Sequence, residues 1–170
     1  MGALHNTVRV IDNFTEKTGN MLAWLCLAMA VVSCIVVLLR YEFGIGSIAA
    51  QELVTYMHGM VFMLGVAFTL KRGGHVRVDI FYRRFSQRTC AWINSVGAMI
   101  FLLPFCIFLF GVSWHFVTES WAVREGSPDP GGIHGVFLLK SLIPLMACNL
   151  LLQGLAETLR NVLFLIEDRG

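Results

Sequence analysis

Five histidines and five cysteines are the side chains of this 170-residue chain best equipped for metal or redox chemistry. His58 and His115 each lie near the end of a long apolar stretch. On neighbouring helices, two such imidazoles can clamp a haem iron from both sides. With no further ligand type around them they read as interfacial side chains satisfied by water or lipid headgroups, and His75 and His134 read as structural residues of connecting segments. Cys26, Cys34, Cys90, Cys106 and Cys148 fall in or beside apolar stretches with no Cys-x-x-Cys spacing. That is how free thiols are used as small buried hydrophobes, and it lacks the paired outward cysteines of membrane disulfide-forming enzymes. There is no phosphate-binding glycine loop, metal-ligand spacing or nucleophile–base pair. No catalytic residue, metal ligand or cofactor is assigned, and no nucleic-acid partner. Glu52 is a candidate partner-interface or structural residue, either paired with Arg40 across a short outer connection or meeting another protein.

The elements that carry these residues follow from composition. The chain is 56% hydrophobic and 14% charged, whereas a soluble domain carries about 25% charged residues. Such a surface belongs in lipid, where about 20 apolar residues of helix cross the core. Four stretches lack Asp, Glu, Lys and Arg: Thr18–Leu39, Leu53–Leu70, Thr89–Thr118 and Ser141–Ala156. The last is short unless it begins near Ile133 and takes Lys140 into its outer turns, where a lysine can snorkel to the interface. The stretches are apolar all round, as lipid-embedded helices are and as alternating barrel strands are not. The fold class is therefore an all-α integral membrane protein, one membrane domain over residues 1–170, with helices at about 18–40, 52–71, 88–118 and 133–157. The first is read as an uncleaved anchor, because Asp12 and Glu16 spoil the basic leader of a signal peptide. Pro104 and Pro144 shape helices three and four by removing backbone donors, and Trp92, Trp114 and Trp121 lie toward interfaces, with Trp24 deeper.

Basic residues set the orientation. Lys71, Arg72, Arg77, Arg83, Arg84 and Arg88 crowd the connection between helices two and three, against one acid, Asp79. Placing that connection in the cytoplasm puts both termini there with Arg9, Lys17, Arg160 and Arg169, and leaves Arg40, Arg124 and Lys140 outside. Ten of the thirteen basic residues then lie inside, as the positive-inside rule requires. The outer connection over 119–132 ends in Ser127-Pro128-Asp129-Pro130-Gly131-Gly132, a rigid turn-forming run.

The segment from Gly73 to Phe85 is the least generic. Gly73 and Gly74 free the backbone as helix two leaves the membrane, and Arg77 and Asp79 fall on one side of an extended run opposite Val76, Val78 and Ile80. Asp79 can cap a helix on which Val78, Phe81, Tyr82 and Phe85 share a face. The expectation is a short cytoplasmic interfacial amphipathic helix over about 76–88, with Arg83, Arg84 and Arg88 toward lipid headgroups. Gly73, Gly74, His75, Arg77 and Asp79 join Glu52 and Lys140 as candidate partner-interface or structural residues.

Here the chain resembles a family. Gln51-Glu52-Leu53, then Leu64-Gly65-Val66-Ala67-Phe68, then Arg72-Gly73-Gly74-His75-Val76-Arg77-Val78-Asp79 are similar to the small membrane subunit of the tripartite ATP-independent periplasmic (TRAP) transporters. The Ser-Pro-Asp-Pro-Gly-Gly run, Lys140-Ser141-Leu142-Ile143-Pro144 and Leu151 to Glu157 resemble a branch of it, and Gln51 stands where the family often has a second acid. The resemblance covers about residues 20–160. It implies a multi-pass protein of the bacterial inner membrane with no enzyme activity and no cofactor. Its partners would be a large membrane permease subunit that moves an organic acid with a sodium gradient, a periplasmic solute-binding protein that captures the acid, and membrane lipids. The small subunit would brace the permease. A haem-bearing anchor of an oxidoreductase is the alternative, resting on His58 and His115. A self-sufficient small drug exporter would need an intramembrane Glu in helix one, and Thr18–Leu39 has none.

Overall fold

The computed structural model describes residues 2–75 and 84–167, and among them every regular element is a helix. Four helices are long and apolar enough to cross a membrane: α1 (Gly2–Glu42), α2 (Ile48–Lys71), α3 (Gln87–Ala122) and α4 (Val136–Glu167).

Two helices overrun the apolar stretches that announce them. α1 has 41 residues, about 60 Å at 1.5 Å per residue and twice the depth of a bilayer core. It begins at Gly2 rather than near Thr18 because the polar segment still buries a stripe. Val8, Thr15 and Leu22 are all buried, and their seven-residue spacing is that of a helix–helix seam. α4 continues to Glu167 because Leu163 and Leu165 are buried as well.

The helix ends have local causes. The Ser47 hydroxyl accepts the Ala50 N–H and opens α2. α2 closes on Gly73, whose φ of +64° suits glycine, with Gly74 N–H reaching Thr69 O at 2.9 Å and Gly73 N–H reaching Leu70 O at 3.0 Å. Those paired bonds form a Schellman cap, so the glycine pair terminates the helix as well as freeing the chain. Ser86 caps α3 by accepting the Thr89 N–H. The expected amphipathic helix falls mostly on residues 76–83, outside the described residues, and no such helix is present in what is described. Residues 84–86 are a turn and bend, and Gln87 and Arg88 belong to the capped start of α3.

α4 is the central element. α1 and α2 pack on each other and on α4, while α3 packs along α4 alone of the helices with extensive contacts. Gly19 makes room for the Phe68 ring between α1 and α2, since a Cβ there would lie 2.6 Å from Phe68 Cε2. α3 carries one π turn at Ala98–Leu102, with Leu103 N–H bonded back to Ala98 O. Pro104 has no N–H to give Ile100, and a turn of wider hydrogen bonds directly before it adjusts the ladder to that loss. Large apolar side chains cover the outside, Trp24 and Phe101 each at 74% exposure, a skin suited to lipid or to another membrane protein.

Candidate functional site

The polar side chains of the membrane region collect in two layers. Along α2 they are nineteen positions apart, from Glu52 to Lys71, about 28 Å of helix and close to one bilayer core.

At the Glu52 end, a carboxylate in the second turn of α2 holds the connection between α3 and α4. Oε1 accepts the Ser127 hydroxyl and Oε2 accepts the Ile133 N–H at 2.6 Å. Ser127 N–H donates to Ile133 O at 3.1 Å, and its Oγ accepts Asp129 N–H at 3.1 Å. The Ser-Pro-Asp-Pro-Gly-Gly run is thus a closed turn clasped at both ends by one carboxylate. Gly132 has no space for a side chain, since its Cβ would overlap Ser127 and lie 2.7 Å from Glu52 Oε1. The expected pairing of Glu52 with Arg40 is replaced by these bonds. Arg40 stands exposed in the last turn of α1, while a backbone N–H and a hydroxyl already fill the carboxylate.

Lys140, in the second turn of α4, bonds the Glu125 carboxylate and lies 4.1 Å over the Phe116 ring. Glu125 also accepts the Ser120 hydroxyl at 2.6 Å. Trp121 donates to Ser141 Oγ at 2.8 Å and meets Phe137 edge-on at 4.7 Å. Lys140 is therefore engaged within the chain, tying the α3–α4 corner together.

The Lys140 ammonium, and then the Ser120 hydroxyl, hold the Glu125 carboxyl below its ordinary range. A carboxyl depressed on folding adds stability above its unfolded pKa and loses it as pH falls through the folded one. Glu125→Gln is expected to melt below wild type at neutral pH, with the difference closing as pH drops into the lower carboxylate range. Thermal melts across that range test this, and a difference that widened on acidification would refute the pairing.

At the Lys71 end, three acids and three bases from α1, α2, the start of its connection and α4 interlock. Arg160 donates to Asp12 Oδ2 and to Glu157 Oε1, both at 2.6 Å. Lys71 donates to Glu16 Oε2 at 2.6 Å and to the Asp12 carbonyl at 2.8 Å, and Arg72 bonds the other Glu16 oxygen. Gln153, wholly inaccessible on α4, accepts the Thr15 hydroxyl at 2.7 Å and donates to Asp12 Oδ1 at 3.2 Å. A buried amide is costly without partners, and both ends of this one have them.

Of the sequence candidates, Glu52 and Lys140 join the first layer, Gly73 and Gly74 form the cap of α2, and His75 lies in a bend just beyond it. Arg84 and Arg88 are exposed at the start of α3. Arg77, Asp79 and Arg83 lie outside the described residues. His58 stacks on Phe62 with centroids 6.3 Å apart, and His115 Nδ1 lies 3.5 Å from Glu119 on its own helix. The two imidazoles sit on α2 and α3, which share no extensive contact. The Lys71-end network was not anticipated. Its signals were Asp12 and Glu16 one turn apart before the first apolar run, and Asn149, Gln153 and Glu157 at four-residue spacing along one face of α4.

Residues 29–164 match the family model described as tripartite ATP-independent periplasmic transporters, DctQ component. No curated protein and no solved structure matches the chain.

Proposed function

Because the chain belongs to the DctQ family, the small component of the TRAP transporters, we propose that it is the immobile scaffold of such a transporter, bracing a large permease subunit. In this reading the permease carries an organic acid with a sodium gradient, and a periplasmic solute-binding protein delivers it. The chain lies in the inner membrane with both termini and the Arg84 connection in the cytoplasm. The ten-to-three distribution of basic residues supports that orientation.

One observation carries the scaffold role: the charged groups at the Lys71 end and the buried Gln153 are paired with one another. Coupled transport uses interrupted helices and polar groups free to meet an ion near the midplane. Here Gln153, Thr15 and Asp12 close a network with Arg160. Asn149, near mid-depth on α4, lines a tight gap with Thr15 and Thr18 that has no room for a water molecule. Arg77 and Asp79 belong to this proposal as candidate contacts with the permease.

The test is co-expression with the permease subunit, followed by reconstitution of each alone and together. The chain should co-purify with the permease in equal amount, and liposomes holding this chain alone should take up no organic acid under a sodium gradient. Uptake by the chain alone overturns the scaffold role. In spheroplasts, an impermeant maleimide should label a cysteine at position 127 and not one at 84, the five native cysteines having been removed.

A further inference from the structure

Where α2 ends, a groove of about 590 Å³ opens between α3 and α4 on the outer surface. Its apolar walls include Leu70, Gly97, Ala98, Phe101 and Phe105, and Asn94, Asn161 and Glu157 stand at one end. The groove exists because α3 packs on α4 and not on α2, and because Gly97 and Ala98 present almost no side chain.

Length, width and charge describe its occupant. From Asn94 to Phe105 is eleven residues, about 16 Å of helix and half of a bilayer core about 30 Å thick. The polar end is level with Leu70 and the charged layer, so the groove runs from the headgroup plane to mid-membrane, the depth of one leaflet. A partner helix crossing the membrane would call for a groove of full depth. About 590 Å³ spread over about 16 Å of helix makes a narrow, open groove, along which a single hydrocarbon chain can lie.

The mouth is rich in acceptors. Arg160 is shared by Asp12 and Glu157, within a layer whose three acids and three bases balance. Glu157 Oε2 has no donor among the described residues, and one Asn161 amide N–H goes to the Glu157 carbonyl at 2.8 Å while its oxygen can accept. A primary ammonium offers three charged N–H donors to the Glu157 and Asn161 oxygens, whereas a quaternary ammonium offers none and a glycerol headgroup offers only neutral hydroxyls.

We propose that this groove binds one phospholipid of the leaflet at the Lys71 end, with an acyl chain along Phe101 and Phe105 and a primary-ammonium headgroup on Glu157 and Asn161. The site depends on the membrane location of the chain and not on its place in a transporter.

The test uses the full chain, purified in mild detergent with any subunit that accompanies it, delipidated and titrated with dioleoyl phosphatidylethanolamine, phosphatidylcholine or phosphatidylglycerol under native mass spectrometry. Wild type should retain one phosphatidylethanolamine with at least about fivefold preference over the other two, the yield of one charge-assisted contact partly screened by water. Gly97→Phe projects into open space, since nothing lies within 4 Å of a Cβ there, and should cut retention about tenfold by filling the groove. Glu157→Gln should bring phosphatidylethanolamine level with phosphatidylcholine. Equal retention of all three lipids by wild type overturns the headgroup assignment. Unchanged retention in Gly97→Phe overturns the site, and if that variant instead sheds an accompanying subunit, the groove is a protein interface. The comparison of lipids on wild type needs no variant to fold.

Discussion

Arg160→Ala is expected to destabilise the detergent-solubilised chain by about 2–3 kcal/mol, the effect of breaking a paired charge reduced for partial solvent screening. Arg160 retains 42% of its side-chain surface, against 22% for Asp12 and 24% for Glu157. Its loss leaves two carboxylates facing each other across the α1–α4 seam, and Asp12 keeps only the Gln153 amide as a side-chain donor. Arg160→Lys should restore part of the loss, because a single ammonium does not fork to two carboxylates as a guanidinium does. The double variant Asp12→Asn with Arg160→Met should cost less than the sum of its parts, since the two groups share one interaction. Arg84→Ala, on an exposed turn, should change stability by less than about 0.5 kcal/mol. Thermal denaturation followed by a thiol-reactive dye or by size exclusion reads all four. If Arg160→Ala melts with Arg84→Ala, the network contributes nothing.

The second large effect is expected at Glu52. Glu52→Ala removes both acceptors that clasp the α3–α4 connection, leaving the Ile133 N–H and the Ser127 hydroxyl without them. Hydrogen exchange at Ile133 should accelerate roughly tenfold or more, as expected when a local opening loses one charge-assisted hydrogen bond. Glu52→Gln should fall between, because its amide accepts from one group and presents N–H to the other. Gly132→Ala should reproduce the opening by a different route, since the new methyl would displace Ser127 or Glu52. Arg40→Ala is the deciding control. If it matches Glu52→Ala, the outer ion pair that the sequence suggested is real and the clasp is not. With the clasp intact, the connection presents one fixed shape to whatever meets this end of the protein, a property suited to a scaffold.

The sequence alone determined the solvent of this protein and the number of its spans. Lipid satisfies no backbone group, so stretches such as Thr89–Thr118 have no alternative to helix, and that constraint is local and legible. The run of Gly-Gly after α2 marked a helix end for a similarly local reason, and the Schellman cap realises it. The short motifs around Glu52 and Arg72 to Asp79 carried the family, whose model spans residues 29–164. What Glu52 holds was not legible, because Ser127 and Ile133 lie 75 and 81 residues away and only the packing of α2 against α4 brings them together. The same separation hid the pairing of Asp12 with Arg160, 148 residues apart. Helix limits failed where tertiary burial outweighed hydropathy: residues 2–17 contain Asp12 and Glu16, yet Val8 and Thr15 are buried, and the partners that make this favourable belong to α2 and α4. Hydropathy records what a residue costs in lipid; it does not record which opposite charge waits across the bundle to offset that cost. Periodicity and composition fix each helix against its solvent, and the tertiary fold alone decides which polar groups meet.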